Sequence, residues 1–260
     1  MSALKDRWMA FRYRQVQRRL AGPKLLRAFA AAYPDAVFVE IGSNDGEQHD
    51  HLRGHILAQD WRGVMVEPVP YVFERLRRNY DGVGRVQLAN VAVADRDGEL
   101  PFYHLVDAPP EERVRMPDWY DGIGSFSREA VLGHARQIPD IEQRLVEARV
   151  PTLTFASLLE RHGLDHVDLV LIDTEGHDWE IIRHMDLEAH GPRLLVYEHY
   201  HLPAAERAAA IARVREAGYE VMEEGFDTFC LRPGDDALTA TWRRLKPGVA
   251  GVSAFEDGTR

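Results

Sequence analysis

Two short stretches concentrate groups that hold and move protons. One is Asp173-Thr174-Glu175-Gly176-His177-Asp178, the other Glu198-His199-Tyr200-His201. Carboxylates beside imidazoles suit two tasks. They can take a proton from a hydroxyl, since histidine titrates at about 6.5. They can also hold a divalent cation that lowers the pKa of a bound oxygen. Oxygen ligands suit Mg²⁺, whereas a histidine pulls the preference towards a transition metal. His177 is the first candidate base. His199 and His201 compete with it: on an extended chain they alternate, share one face and leave Tyr200 on the other. Asp173, Glu198 and one histidine form the candidate metal set. Either route activates an oxygen nucleophile.

A third stretch, Glu40-Ile41-Gly42-Ser43-Asn44-Asp45-Gly46, has the composition of a ligand-binding turn. Glycines at 42 and 46 let the chain turn tightly and approach a ligand closely. The spacing departs from G-x-G-x-x-G, because position 44 is asparagine, and this disfavours a pyrophosphate cradle. Glu67, in Val64-Met65-Val66-Glu67-Pro68, follows Gly46 by 21 residues. In doubly wound folds an acidic residue about 20 residues on binds ribose hydroxyls, and a carboxylate can accept from two of them. Asn90 and Ala92 end the next strand, where an adenine edge would lie. An acidic residue, one spacer, glycine, three residues and glycine is the arrangement seen in methyltransferases. There, backbone N–H groups take the ligand's carboxylate, and an acid such as Glu40 lies near its ammonium.

Elements must bring these stretches together. Short apolar runs at Val37–Ile41, Val64–Val66, Val86–Val93, Leu169–Ile172 and Leu194–Tyr197 read as strands. Helices are expected over His51–Gln59 and through Val69, Val72, Phe73, Leu76 and Tyr80, which recur at helical spacing. Trp179, Ile182 and Met185 form another helical stripe, Pro203 opens a helix through Ala217, and Glu220–Glu224 with Thr228–Arg232 reads as a closing hairpin. Strands apolar on both faces and alternating with helices imply a mostly parallel, doubly wound α/β sheet with an antiparallel edge hairpin. Ligands in such sheets bind at the carboxyl ends of the strands. Residues 107–150 break the rhythm with prolines and glycines, then two helical pieces near Arg128–Arg136 and Ile141–Arg149. An insert of that length is expected to act as a lid or substrate-binding element, with Trp119, Tyr120 and Phe126 as candidate walls of an apolar pocket.

Phe38–Gly46 (FVEIGSNDG), Trp61–Pro68 (WRGVMVEP), Leu88–Ala94 (LANVAVA), Leu171–Trp179 (LIDTEGHDW) and Val196–Leu202 (VYEHYHL) together resemble the FkbM family of methyltransferases. The resemblance spans roughly residues 37–232. It implies a Rossmann-like class I methyltransferase fold, S-adenosylmethionine as donor, and methylation of an oxygen on a small molecule, natural product or sugar. The donor set it implies is Glu40, Gly42, Ser43, Asn44, Asp45, Gly46, Glu67, Pro68, Asn90, Ala92 and Asp173, with Asp173 facing the sulfonium. The catalytic set is Asp173, Glu175, His177, Glu198 and His199, with Mg²⁺ as an additional candidate. Ser43, Asn44 and Asp45 stand where small residues are common in the family.

The 260 residues, 45% of them hydrophobic and 28% charged, suit one generous globular domain. The expected boundaries are a basic helical leader over 1–35, the methyltransferase domain over 36–232 and a tail over 233–260. Residues 1–30 carry a net charge of +7, so the remainder carries −17. An acidic body disfavours a nucleic-acid substrate. No apolar run suits a membrane span, a lone Cys230 fits a reducing compartment, and a cytoplasmic location is expected. A homo-oligomer is compatible with such a chain. Two rival readings are a non-catalytic scaffold docking through its basic leader, and a nicotinamide-dependent oxidoreductase, which the missing middle glycine opposes.

Overall fold

The structure is a computed structural model that describes residues 20–248. Most of the basic leader and the last part of the tail therefore lie outside the described residues. The central sheet has seven strands in the order β10-β11-β9-β8-β1-β2-β3. These are β1 (Val37–Ile41), β2 (Arg62–Val66), β3 (Val86–Ala89), β8 (Leu169–Ile172), β9 (Leu194–Glu198), β10 (Glu220–Glu224) and β11 (Asp227–Leu231). Strands β3, β2, β1, β8 and β9 run parallel, while β11 pairs antiparallel with both β9 and β10. This is the doubly wound α/β fold with an antiparallel edge.

Alternation within each strand feeds two cores. Val39, Ile41, Val64 and Val66 pack on one face against Leu158, Ile182 and Val214. These come from helices α7 (Phe155–His162), α8 (Asp178–His184) and α9 (Ala204–Glu216). Phe38 and Met65 point the other way, towards Leu25, Phe29 and Trp242. Their helices are α1 (Ala21–Ala32) and α10 (Ala237–Leu245). On the same face, α3 (Pro70–Asn79) contributes Leu76 and α2 (Arg53–Ala58) contributes Ile56. Each fully buried aliphatic side chain contributes about 1.5–3 kcal/mol, so the strand ends rest on a rigid floor.

The register then sets the site. Ile41 sits opposite both Val66 and Ile172, and Ile172 opposite Tyr197. The next residue on each strand (Gly42, Glu67, Asp173 and Glu198) therefore emerges at one rim. β1 lies between β2 and β8, where the strand order reverses, which is the crevice such folds use for ligands.

Two elements differ from expectation. The run Val86–Val93 is broken: β3 ends at Ala89, and β4 (Ala92–Val93) joins a second sheet in the order β4-β7-β5-β6. The break has a cause, since the Asn90 amide donates to the Glu67 and Pro68 carbonyls and turns the chain aside. Also in the insert, a helix over Ile141–Arg149 was expected. A short helix, α6 (Ile141–Arg144), gives way at Leu145 to β7 (Leu145–Leu153), which pairs with β5 (Gly98–Leu105) along its whole length. Helices α4 (Pro110–Arg113) and α5 (Arg128–Leu132) and strand β6 (Gly124–Ser125) complete this layer. Its own small core includes Leu105, Tyr120, Ile123 and Ile141.

Candidate active site

The strand rim and the insert enclose a cavity of about 900 Å³. One end is built from the glycine turn. Gly42 has φ +82, and a Cβ there would run into the Asp173 carbonyl, so only glycine lets β1 and β8 approach this closely. Gly42 and Ser43 both donate backbone N–H groups to the Val66 carbonyl at 3.0 Å, and the buried Ser43 hydroxyl accepts from Val66 N at 3.0 Å. The turn is thereby tied to β2. Glu67 is buried and accepts from Asn44 N at 3.1 Å and Val69 N at 2.7 Å. Burial still pushes its carboxyl up to about 7, with Asp45 and Asp173 adding to the rise and the two amides opposing it.

Glu40 is 3% exposed, and its Oε2 has no hydrogen-bond partner. Burial, then the nearby Asp50 and Asp173, hold it well above the usual carboxylate range. Such an oxygen is costly unless a donor or cation meets it. Glu40, Gly42, Ser43, Asn44, Glu67, Pro68, Ala92 and Asp173 all line the cavity. Asp45, Gly46 and Asn90 lie outside its lining. Asp45 accepts from the Glu47 and Gln48 amides at 2.9 and 2.8 Å, Gly46 packs near Leu76 and Tyr80, and Asn90 holds the chain break. They shape the turn.

The other end is acidic. Asp173 is exposed where it lines the cavity, and desolvation by the surrounding protein, with Asp227, raises it to about 6. Glu175 is raised to about 8 by burial and Asp173, and Glu198 to about 11 by burial and its carboxyl neighbours. Beneath them Asp178 is fully buried and accepts from the Thr174 hydroxyl at 2.8 Å and Glu198 N at 3.2 Å, which fixes the turn after β8 to the end of β9.

The histidines separate. His177 lines the cavity next to Phe126, ring centroids 4.5 Å apart, and its buried Nε2 has no partner. Burial lowers its pKa, so the neutral base dominates near neutrality. His199, expected among the catalytic groups, is 1% exposed, binds the Thr228 hydroxyl at 2.8 Å through Nδ1 and lies outside the cavity lining. The alternation argument fails because β9 ends at Glu198 and residues 199–202 turn, with His199 N donating to the Phe226 carbonyl. His201 takes the place at the cavity. Its Nε2 lies 3.0 Å from Glu175 Oε2 and 3.9 Å from Glu198 Oε2. The ligand atoms that converge are therefore those of Glu175, Glu198 and His201, and the expected set of Asp173, Glu198 and a histidine is revised accordingly.

Three acidic residues of the cavity lining went unread in the sequence: Asp50, Asp227 and Glu224. Asp227, raised to about 7 by burial and Glu224, lines the cavity from β11. Glu224 lines it too, while its carboxylate accepts from Ala21 N and Gly22 N at 2.8 and 2.7 Å, capping α1. Both flank the hairpin turn, and only the β9–β11 pairing shows that they reach this rim. From the insert come Trp119, Phe126, His134 and Gln137; Tyr120 instead sits in the insert's core, its hydroxyl on the Val106 carbonyl at 3.0 Å.

A family model for the methyltransferase FkbM domain matches residues 40–221. A curated relative, the 2-O-methyltransferase NoeI of Sinorhizobium fredii (strain NBRC 101917 / NGR234), is 26% identical over 155 residues, covering 57% of this chain and 57% of that protein. Among solved structures, methyltransferase FkbM from Methylobacillus flagellatus KT aligns with a TM-score of 0.49 at 12% identity, over 76% of this chain and 44% of that one. The chain thus spans little more than half the length of the curated relative and less than half of the solved one. Among the described residues no helix is long and apolar enough to cross a membrane.

Proposed function

This chain belongs to the FkbM family of methyltransferases, and from that premise we propose that it moves a methyl group from S-adenosylmethionine to a hydroxyl oxygen of a small molecule, natural product or sugar. The observation that carries the donor assignment is Glu40. A carboxylate oxygen with no partner, buried beside the Gly42 turn, suits the ammonium of the donor's aminoacyl end. Glu67, one strand over, suits the ribose hydroxyls. A cavity rich in acids suits a sulfonium, which arrives with a positive charge. The relative's printed activity, 2-O-methylation, supports oxygen as the acceptor atom.

When bound, the donor supplies a methyl carbon already activated by its sulfonium. The protein has three tasks left. It aligns the acceptor oxygen in line with the C–S bond, excludes water and receives a proton. Phe126 and Trp119, both in the cavity wall, close the apolar side. His177, neutral and with its Nε2 unpartnered, takes the proton as the C–O bond forms and the C–S bond breaks, leaving a neutral thioether. Asp173 and the neighbouring glutamates orient the hydroxyl. A cytoplasmic setting belongs to the same reading, on the single buried Cys230.

Isothermal titration with S-adenosylmethionine and S-adenosylhomocysteine tests the donor. Micromolar binding that Glu67→Ala weakens by about 1–3 kcal/mol is the expected result. A folded protein that binds neither compound overturns the reading. With an acceptor in hand, Asp173→Asn and His177→Ala should lower turnover while donor affinity survives; unchanged turnover in both would mean that the proton goes elsewhere.

A further inference from the structure

We propose that Glu175, Glu198 and His201 form a binding site for one divalent first-row transition ion, Mn²⁺ or Zn²⁺, at the acceptor end of the cavity. The site is independent of the donor and stands or falls on ion binding alone. Its three ligand atoms lie within 4.8 Å of one another, with His201 Nε2 3.0 Å from one carboxylate oxygen and 3.9 Å from the other. A shared ion with bonds of roughly 2.0–2.2 Å sets its ligand atoms about 2.8–4.4 Å apart, so the side chains need only small shifts to close on it.

The hydrogen-bonding pattern points the same way. Glu175 Oε2 and Glu198 Oε2 are both closed to solvent, and neither receives a hydrogen bond. The close approach of His201 falls outside hydrogen-bond geometry, and one ring nitrogen carries at most one proton, which cannot serve two carboxylates. Among the described residues no arginine pairs with either glutamate. The fully buried Asp178 is different, because it has its donors in Thr174 and the Glu198 amide. Around the turn after β8 the orphaned carboxylate oxygens are thus those of the pair that a histidine joins, and a cation would satisfy both at once.

The donor set selects the ion. Two carboxylates alone would suit Mg²⁺, which prefers oxygen and keeps its water. An imidazole nitrogen shifts the preference along the first row. Three protein ligands leave positions open, as at ion sites that also hold a small molecule. All three residues line the same cavity, so an acceptor's hydroxyls have access to those positions.

The test is Mn²⁺ titration of the chelator-treated full chain, followed by the loss of the free-ion signal in electron paramagnetic resonance. One tight Mn²⁺ per chain is expected, with Zn²⁺ displacing it and Mg²⁺ at equal concentration failing to do so. His201→Ala and Glu198→Gln should each weaken binding roughly tenfold or more, since even an outer-shell change costs that much. Nitrogen modulation of the bound-ion signal should vanish in His201→Ala. Circular dichroism and thermal unfolding establish that the variants are folded. No Mn²⁺ bound to the folded wild type, or Mn²⁺ bound equally well by Glu175→Gln/Glu198→Gln, overturns the site. Mg²⁺ displacing Mn²⁺ as readily as Zn²⁺ does overturns the choice of ion. None of these readouts involves methyl transfer, so failure here leaves the donor reading untouched and the converse holds.

Discussion

Glu67 keeps two backbone donors and still sits near a pKa of about 7, so its charge changes within the working range. Its folded pKa is raised, so the folded chain holds the proton more tightly than the unfolded one. For this group, stability without donor falls as pH rises from the usual 4.5 through about 7. Donor binding runs the opposite way, because ribose hydroxyls donate to the ionised form. Affinity should rise about tenfold between about pH 6 and about pH 8 through this residue, and Glu67→Gln should remove that part of the slope. Titration calorimetry of both proteins across the range checks it, and identical slopes would exclude Glu67 as the ribose ligand. At this scale the sequence was informative wherever a residue ends a buried strand. Glu67, Asp173 and Glu198 were legible for that reason, and Glu40 as the one acid inside the otherwise apolar β1. His199 and His201 were misordered, since nothing local reveals that β9 stops one residue short of them. Asp45 looked like a ligand group, but its carboxylate is spent on the turn's own amides.

The Gly42 turn joins β1 to its neighbours, and two glycines separate its effects. Gly42 and Gly82 have nearly the same φ, +82 and +80, but a Cβ at Gly82 meets nothing within 4 Å. Gly82→Ala should cost only the left-handed strain, about 1–2 kcal/mol, and leave donor binding alone. Gly42→Ala adds a collision with the backbone of Asp173. It should cost more, lower the urea midpoint further and abolish donor binding, whereas equal midpoints would mean that β8 gives way freely. Ser43→Ala strips the buried Val66 amide of its side-chain acceptor and should cost about 1–3 kcal/mol in the same denaturation series. Among the elements, the parallel sheet was readable because its strands are apolar on both faces. The second sheet was not. In β7, Val146, Ala148 and Val150 alternate with Glu147 and Arg149, a half-exposed strand whose charges also fit a helix; only pairing with β5, some fifty residues earlier, decides it.

Across the whole molecule, charge is the distinguishing property. The chain carries −10 overall, and its cavity gathers carboxyls from β1, β2, β8, β9 and the edge hairpin. The net negative charge of the whole chain draws in cations and is screened by salt. The association rate of S-adenosylmethionine should therefore fall as ionic strength rises, while that of the uncharged-sulfur product changes little. Stopped-flow binding at low and high salt checks this, and a flat rate for the sulfonium would mean that the acids act only after contact. The detour at Asn90 has a consequence of another kind. The chain leaves the central sheet after Ala89, builds the second layer from β4 to β7 and returns at Thr154, whose hydroxyl caps α7. The wall that Trp119, Phe126, His134 and Gln137 give the cavity is thus encoded in a separate stretch, joined to the central sheet at two sutures. On the proposed function, swapping residues 94–153 for the equivalent stretch of a relative should alter acceptor preference while S-adenosylmethionine affinity survives, and an unchanged preference would place the acceptor's contacts on the strand rim alone.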